Sequence, residues 1–286
     1  ENPAQSDEPS AVILTDTDGL YRIEIQPCES LLGNANHLIL LLENLIKNAQ
    51  FFATKRKYKS PFAPISVRLW EARQCLCMTI YNRGPHIDYE TKDQIFKLGF
   101  STRRVQEHHG KGLGLYFAQQ ITQGFDGDIG FDNIANQPGQ YHLRLQLASG
   151  AVQNMNVDIV CDDNEVPLVL ISGEAQTPQK SLDIELSSTL INVELHMTGD
   201  QQVYRFDIDG ERKTLFDPAD PCHPQWMIKV SGRKADQLTF TPLDIRGVQF
   251  SVRLPTLSGR IDGVSASAGA PQLDELDAGF RSPDDF

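Results

Sequence analysis

Three groups of residues have the types and spacing to do chemistry. In His108-His109-Gly110-Lys111-Gly112-Leu113-Gly114-Leu115 the glycines alternate, which lets a backbone pass close to a ligand. The apolar spacing that follows (Leu113, Phe117, Ala118, Ile121) is that of a helix with one buried face. A glycine turn feeding a helix N-terminus is an anion site, because free N–H groups and the positive dipole end meet there. Lys111 would add a full charge. The second group is Asn44 and Asn48, four apart and so on one side of a helix. A carboxamide beside a core-facing stripe needs partners, and its oxygen suits a hard cation. The third is Asn82-Arg83-Gly84-Pro85-His86-Ile87, a polar, turn-forming break at a strand end. The glycine loop is neither a P-loop nor a dinucleotide fingerprint, since no strand ends directly before it. Taken singly, each pattern also fits an ordinary turn or a solvated helix face.

The surrounding elements must hold these groups. Tyr21–Ile25 alternates as a strand, after a polar stretch with a short strand at 11–14. From Asn36 to Thr54 a helical stripe runs through Leu38, Leu41, Leu42, Leu45, Ala49 and Phe52. Ile65–Trp70 and Leu76–Tyr81 read as a hairpin, Asp88–Gln94 as a short helix, and Ile129–Asp132 and Tyr141–Leu147 as two closing strands. Strands with helices between them imply a layered α+β domain.

Composition narrows the function classes. A chain of 286 residues suggests about two domains. The net charge of −12 argues against nucleic acid as a partner. No run approaches the ~18 apolar residues of a membrane span. Five cysteines without framework spacing fit a reducing cytoplasm, and Cys75-x-Cys77 alternates in strand rhythm rather than marking a metal site. The polar opening without methionine suggests a piece of something longer.

Residues 21–149 resemble the ATP-binding domain of sensor histidine kinases, in the superfamily shared with gyrase B and MutL. Four motifs stand in the family's order. Asn44-Leu45-Ile46-Lys47-Asn48-Ala49 is similar to the N box and Asn82–Ile87 to the first glycine box. Ile95-Phe96 through Phe100-Ser101-Thr102 is similar to the F box, and Gly110–Leu115 to the second glycine box. The resemblance implies a two-layer α/β sandwich, a mixed sheet with helices on one face. It implies ATP and Mg²⁺ as ligands. Asn48 would hold Mg²⁺, Asn44 would support the phosphates or the metal's waters, and Phe52 would pack on the adenine. Gly110, Gly112 and Gly114 would cradle the triphosphate, and residues 101–109 would form a mobile lid. Asn82, Gly84, Ile87, Phe96, Phe100, Ser101, Thr102, Lys111, Leu113 and Leu115 complete the implied nucleotide site, with Asn44 and Lys111 nearest the transferred phosphoryl.

Two departures weaken nucleotide binding in this reading. Asn82 stands where the family usually has an Asp that accepts from the adenine amino group; an Asn oxygen can accept the same bond without the charge. His86 replaces a glycine, so the backbone cannot approach the base as closely. A third comparison concerns the reaction. Hydrolysing relatives place a water-activating Glu four residues before the metal Asn, where this chain has Asn44, which has no useful basicity. Glu43 lies about 100° away around the helix. The pattern fits a kinase better than an ATPase.

From residue 150 the chain changes character. Alternation recurs in Leu182–Leu186, Ile191–Met197, Tyr204–Ile208, Trp226–Val230 and Val248–Leu254, implying a small antiparallel sandwich or barrel. Asp217–Pro224 is too proline-rich for a strand. Val157–Asn164 resembles the opening of a receiver domain, but the helices such a domain needs do not follow. Cys222 and His223 alone do not make a metal site. Gly247–Pro255 echoes Gly139–Leu147, as an inserted or duplicated strand pair would. From Ser258 the chain is small, polar and acidic, and disorder is expected.

The expected organisation is therefore a linker over 1–20, an ATP-binding domain over 21–149, a β-rich domain over 150–256 and a disordered tail over 257–286. The expected function is the cytoplasmic catalytic region of a sensor histidine kinase in two-component signalling. It would move the ATP γ-phosphoryl to a histidine on a dimerisation hairpin of the parent kinase, which is expected to be a dimer and to serve a response regulator indirectly. No such hairpin precedes residue 21. The alternative is a degenerate module that binds nucleotide without catalysis.

Overall fold

A computed structural model describes residues 12–15, 19–54, 62–101, 112–174, 177–208, 213–232 and 235–266. In chain order the first elements are β1 (Val12–Thr15), β2 (Tyr21–Ile25), α1 (Ala35–Ala53), β3 (Ile65–Ala72), β4 (Cys75–Arg83), α2 (Gly114–Gly124) and β5 (Asp128–Ile134). Nine strands follow: β6 (Gly139–Leu147), β7 (Val152–Cys161), β8 (Pro167–Ile171), β9 (Leu182–Glu185), β10 (Leu190–Met197), β11 (Tyr204–Asp207), β12 (Thr214–Phe216), β13 (Trp226–Ser231) and β14 (Gln237–Pro242). The last elements are β15 (Gly247–Pro255) and α3 (Leu257–Ile261).

The six strands of the first sheet run in the order β1-β2-β3-β4-β15-β5. Only β2 and β3 are parallel, so the sheet is mixed. The β3–β4 turn is two residues long, with Arg73 and Gln74 both at positive φ, the geometry that matches strand twist in a tight hairpin. Asn34 starts α1 by accepting from the Asn36 amide at 2.9 Å. The helix then buries Leu41, Leu45 and Ala49 against Leu76, Met78 and Ile80 of β4 and Val248, Phe250 and Val252 of β15. Ala118 of α2 joins the same core, so both helices cover one face of the sheet. Thr122, fully buried on α2, returns its hydroxyl hydrogen to the Ala118 carbonyl at 2.8 Å. Phe117, expected on the buried stripe, is 43 % exposed and packs edge-on against Tyr116 instead.

Two compact units result, one holding the described residues up to Ile134 and from Gly247 onward, the other Ala135–Arg246. The division therefore differs from the expected 149/150 boundary. β6, expected to close the ATP-binding sheet, pairs instead with β7 and β10, and β15 takes the place between β4 and β5. An alternating pattern fixes which side chains share a face but not which strand lies alongside, and here the partner is chosen by the nonlocal core.

The second unit consists of two antiparallel sheets, β11-β10-β6-β7-β8 and β12-β13-β14-β9. Leu143, Leu145, Val193 and Leu195 of the first share one core with Trp226, Ile228 and Phe240 of the second, which makes a sandwich. The rings of Trp226 and Phe240 stack at 6.0 Å. The receiver-like Asp162-Asp163-Asn164 is a β7–β8 turn closed by the Asp162 carboxylate, which accepts the Asn164 and Val166 amides, each at 2.8 Å. Two further expectations change. The short strand expected at 11–14 forms as Val12–Thr15 and pairs with β2, so part of the expected linker belongs to the sheet. Residues 257–266 are ordered: the Thr256 amide donates to the Gln74 carbonyl at 2.9 Å, and Gly259 sits where a Cβ would lie 2.3 Å from that oxygen. The remainder of the expected tail lies outside the described residues.

Candidate nucleotide site

The site is built where α1, the end of β4 and the start of α2 converge. Asn44 and Asn48 project from α1, one turn apart and half-buried. The Asn44 amide donates to the Leu40 carbonyl at 2.9 Å, which fixes the side chain along its own helix. Its oxygen lies against the start of α2, where a Cβ on Gly114 would come within 3.3 Å of it. Gly112 has φ +65°, and a Cβ there would meet Gly99 and the Phe100 carbonyl at 2.5 Å. Gly112 is thus demanded by close approach and by its dihedral, while at Gly114 a Cβ would press on the Asn44 oxygen. Among the described residues no side chain caps α2, and first-turn N–H groups of a helix suit an anion.

These residues line a single open cavity of about 980 Å³. Asn44, Asn48, Phe52, Asn82, Ile87, Phe100, Ser101, Gly112, Leu113, Gly114 and Leu115, all expected at the nucleotide site, lie on its walls. Gly84 and Phe96 do not. Gly84 is buried behind the wall, where a Cβ would be 3.1 Å from the Phe52 carbonyl, and Phe96 packs edge-on against Phe250 at 6.4 Å. Thr102, Gly110 and Lys111, and the lid expected over 101–109 apart from Ser101, lie outside the described residues.

Several lining residues were not expected. Lys47, within the N box, reaches the cavity while holding Glu43 at 2.7 Å, and Glu43 itself is not on the wall. Pro85 and His86 join the wall from within the first glycine box, and Asp88, Thr91 and Ile95 extend it beyond that box. The segment expected as a helix over Asp88–Gln94 is a single 3₁₀ turn at Tyr89–Thr91, capped by Asp88. Val248 and Phe250 line the cavity from β15, and no local pattern could have revealed them, because they reach it only through pairing with β4.

Asn44, Lys47 and Asn48 give the α1 side of the cavity polar groups, Ile87, Ile95, Val248 and Phe250 give it apolar surface, and Asn82, His86, Asp88, Thr91 and Ser101 add polar side chains elsewhere on the lining. Asn82 is buried, its amide 3.4 Å from the Arg83 carbonyl. His86 donates from Nε2 to the Ile134 carbonyl at 2.8 Å, and Asn133 holds both backbone groups of Ile87, at 2.9 and 2.8 Å. An uncapped helix N-terminus, two carboxamides and an apolar slot suit a ligand with an anionic chain and a flat heterocycle.

Residues 33–149 match the model of the histidine kinase-, DNA gyrase B-, and HSP90-like ATPase family. Over that segment the chain is similar to the family. The match runs through β6, although the structure completes the sheet of the first unit with β15. The sensor protein ChvG of Rhizobium meliloti is 31 % identical over 102 residues, 35 % of this chain and 17 % of that protein. The adaptive-response sensory kinase SasA of Rippkaea orientalis is 30 % identical over 108 residues, 37 % of this chain and 26 % of that protein. The chain thus spans about a sixth to a quarter of these curated relatives. Among solved structures, a mycobacterial sensor histidine kinase, MprB, is similar at 19 % identity and TM-score 0.33, covering 48 % of this chain and 78 % of that one. No helix among the described residues of the ATPase domain or of the second unit is long and apolar enough to cross a membrane.

Proposed function

We propose that the cavity binds ATP with Mg²⁺ and that the domain transfers the γ-phosphoryl to a histidine on a helical hairpin of its kinase. The observation that carries this reading is the convergence of Asn44, Asn48 and the uncapped α2 N-terminus on one cavity with an apolar wall. The donor set fits a magnesium-bound triphosphate: carboxamide oxygens are hard ligands, and the glycine-shaped approach of α2 leaves room at its amides. Asn48, with Asn44 beside it, would hold the metal, which when bound neutralises phosphate charge. The amides of Gly114 and Leu115 orient the phosphate chain, Lys47 adds positive charge, and Ile87, Val248 and Phe250 receive the base. Catalysis on this reading is positioning and charge neutralisation, with no general base at position 44 to activate water. The domain would then be the cytoplasmic catalytic part of a sensor kinase, dimeric through its hairpin and acting on a response regulator.

Titration of the chain with ATP and ADP, with and without Mg²⁺, tests the first step. Adding the hairpin of the parent kinase should then yield an acid-labile, base-stable phosphohistidine. A second reading, a module that binds nucleotide without transferring phosphoryl, is favoured by Asn82 and His86. Nucleotide binding with a folded hairpin and no phosphohistidine would select it. Absence of nucleotide binding would overturn both.

A further inference from the structure

Residues 135–246 leave the ATPase domain after Ile134 and return at Gly247, and these two residues are direct register partners at the end of the β5–β15 ladder. The insertion therefore replaces the tip of a hairpin, a place where chain can be added without breaking a sheet. Both roots adjoin the cavity wall. After Gly247 the next residue is Val248, which lines the cavity. Gly247 itself lies where a Cβ would be 2.2 Å from the Asn82 carbonyl. Ile134 accepts the His86 hydrogen bond at 2.8 Å, and Asn133 clasps Ile87 with two more. Residues 84–88 thus form a strap that runs from the end of β4 past β15 to β5, and three side-chain hydrogen bonds hold it there.

The insertion's own first and last residues are tied together equally firmly. The Asn136 amide donates to the Glu165 carbonyl at 2.8 Å and to Asp244 at 3.0 Å, while its oxygen accepts the Ile245 amide at 2.8 Å. Arg246, buried, donates to Asp244 and, at 2.6 Å, to the Asn164 carbonyl. In the chain this knot directly adjoins Ile134 and Gly247, the residues beside the strap and the cavity wall.

Resting on the nucleotide reading of the cavity, we propose that residues 135–246 regulate nucleotide affinity through the strap, with His86 and Asn133 as the positioning residues that carry the coupling. The strap has two states. Engaged on β5, it holds Pro85, His86, Ile87 and Asp88 as a wall of the cavity; released, it leaves that wall without its outer anchor. Nucleotide favours the engaged state, and by linkage nucleotide must then tighten the insertion's roots as much as those roots tighten nucleotide.

Hydrogen exchange on the whole chain, with and without Mg-ADP, tests this. Mg-ADP should slow exchange several-fold at 44–52 and also at 133–137 and 244–248. Asn133→Ala, which does not line the cavity, should lower ADP affinity at least fivefold, the low end of ordinary allosteric coupling. It should also abolish the response at 135–137 and 244–246. Arg246→Met, at a residue that does not itself line the cavity, should shift ADP affinity too, with folding checked by the fluorescence of buried Trp226. Slowing at 44–52 with unchanged roots overturns the coupling, as does an Asn133→Ala variant that loses affinity yet keeps the root response. An Arg246→Met variant that folds and binds ADP with unaltered affinity also overturns it. If ADP slows exchange nowhere, the nucleotide reading fails first and the coupling falls with it.

Discussion

The amide of Gly99 donates to the carbonyl of Gly112 at 3.1 Å, joining the end of the F box to the second glycine box. This bond holds Gly99 against Gly112 beside the cavity. It also explains why position 112 admits nothing larger than glycine: at φ +65° its Cα faces the Gly99–Phe100 peptide.

Gly112→Ala should therefore be more damaging than Gly114→Ala. A left-handed dihedral costs a Cβ-bearing residue about 1–2 kcal/mol, and the contact at 2.5 Å adds to it. Gly114→Ala should be milder, since its Cβ would meet only the Asn44 oxygen at 3.3 Å. Calorimetric titration with ADP should rank the affinities wild type, Gly114→Ala, Gly112→Ala, with at least a tenfold loss for the last. The reverse order would contradict the close approach described above.

Asn48→Ala should weaken nucleotide binding much more in Mg²⁺ than in chelator. The side chain lines the cavity one turn from Asn44, which is already tied to the Leu40 carbonyl. A loss equal under both conditions would mean that Asn48 does not serve the metal.

The unaltered chain should bind ATP with almost no turnover, measured as phosphate release over hours. Asn44 cannot deprotonate water, and Glu43 is held by Lys47 away from the cavity. Asn44→Glu should raise hydrolysis if its carboxylate reaches water near the phosphates. Brisk hydrolysis by the unaltered chain would point to another base.

Phe250→Ala joins stability to binding. The ring is almost wholly buried between Phe96 and Phe131, yet it also lines the cavity. Its removal should cost about 3–5 kcal/mol of ATPase-domain stability and weaken ADP binding. The insertion's unfolding, followed through Trp226 in a Trp70→Phe background, should be unchanged.

A pH-dependent difference is expected within the insertion. Burial pushes the Asp217 carboxyl up to about 6, against the amides of Ala219 and Gln225, which stabilise its charge. A carboxyl whose pKa is raised on folding contributes stability below its unfolded value near 4 and loses it as pH rises through 6. That loss is about 3 kcal/mol. Asp220 behaves oppositely: burial raises its pKa, but hydrogen bonds from His223 and the Cys222 amide outweigh this and hold it near 2, so its contribution fades as pH falls from 4 to 2. The stability of Asp217→Asn relative to wild type should rise by about that amount between pH 4 and 7, read by urea unfolding. A difference independent of pH would remove the buried charge from the account.

Local pattern determined much of this protein. The stripe Leu41, Leu45, Ala49 dictated α1 and placed Asn44 and Asn48 beside the core, because a helix repeats every 3.6 residues wherever it packs. The four motifs carried the family and most of the cavity wall, since the residues of each lie close together in sequence. The alternating runs of the second half likewise announced antiparallel sheets. Only the tertiary structure decided which strand completes the ATPase sheet. Gly139–Leu147 and Gly247–Pro255 both alternate after a leading glycine, in opposite phase, and alternation of either phase leaves the neighbouring strand open. What separates them is partnership: Phe250 finds Ile80 on one side and Phe131 on the other, while Leu143 and Leu145 find Leu195 and Val193. Period-2 alternation specifies a face, and pairing is settled by packing among residues far apart in the chain. For the same reason Val248 and Phe250 could not be read as cavity residues, nor the strap of His86 and Asn133 as a link between the cavity and the ends of the insertion.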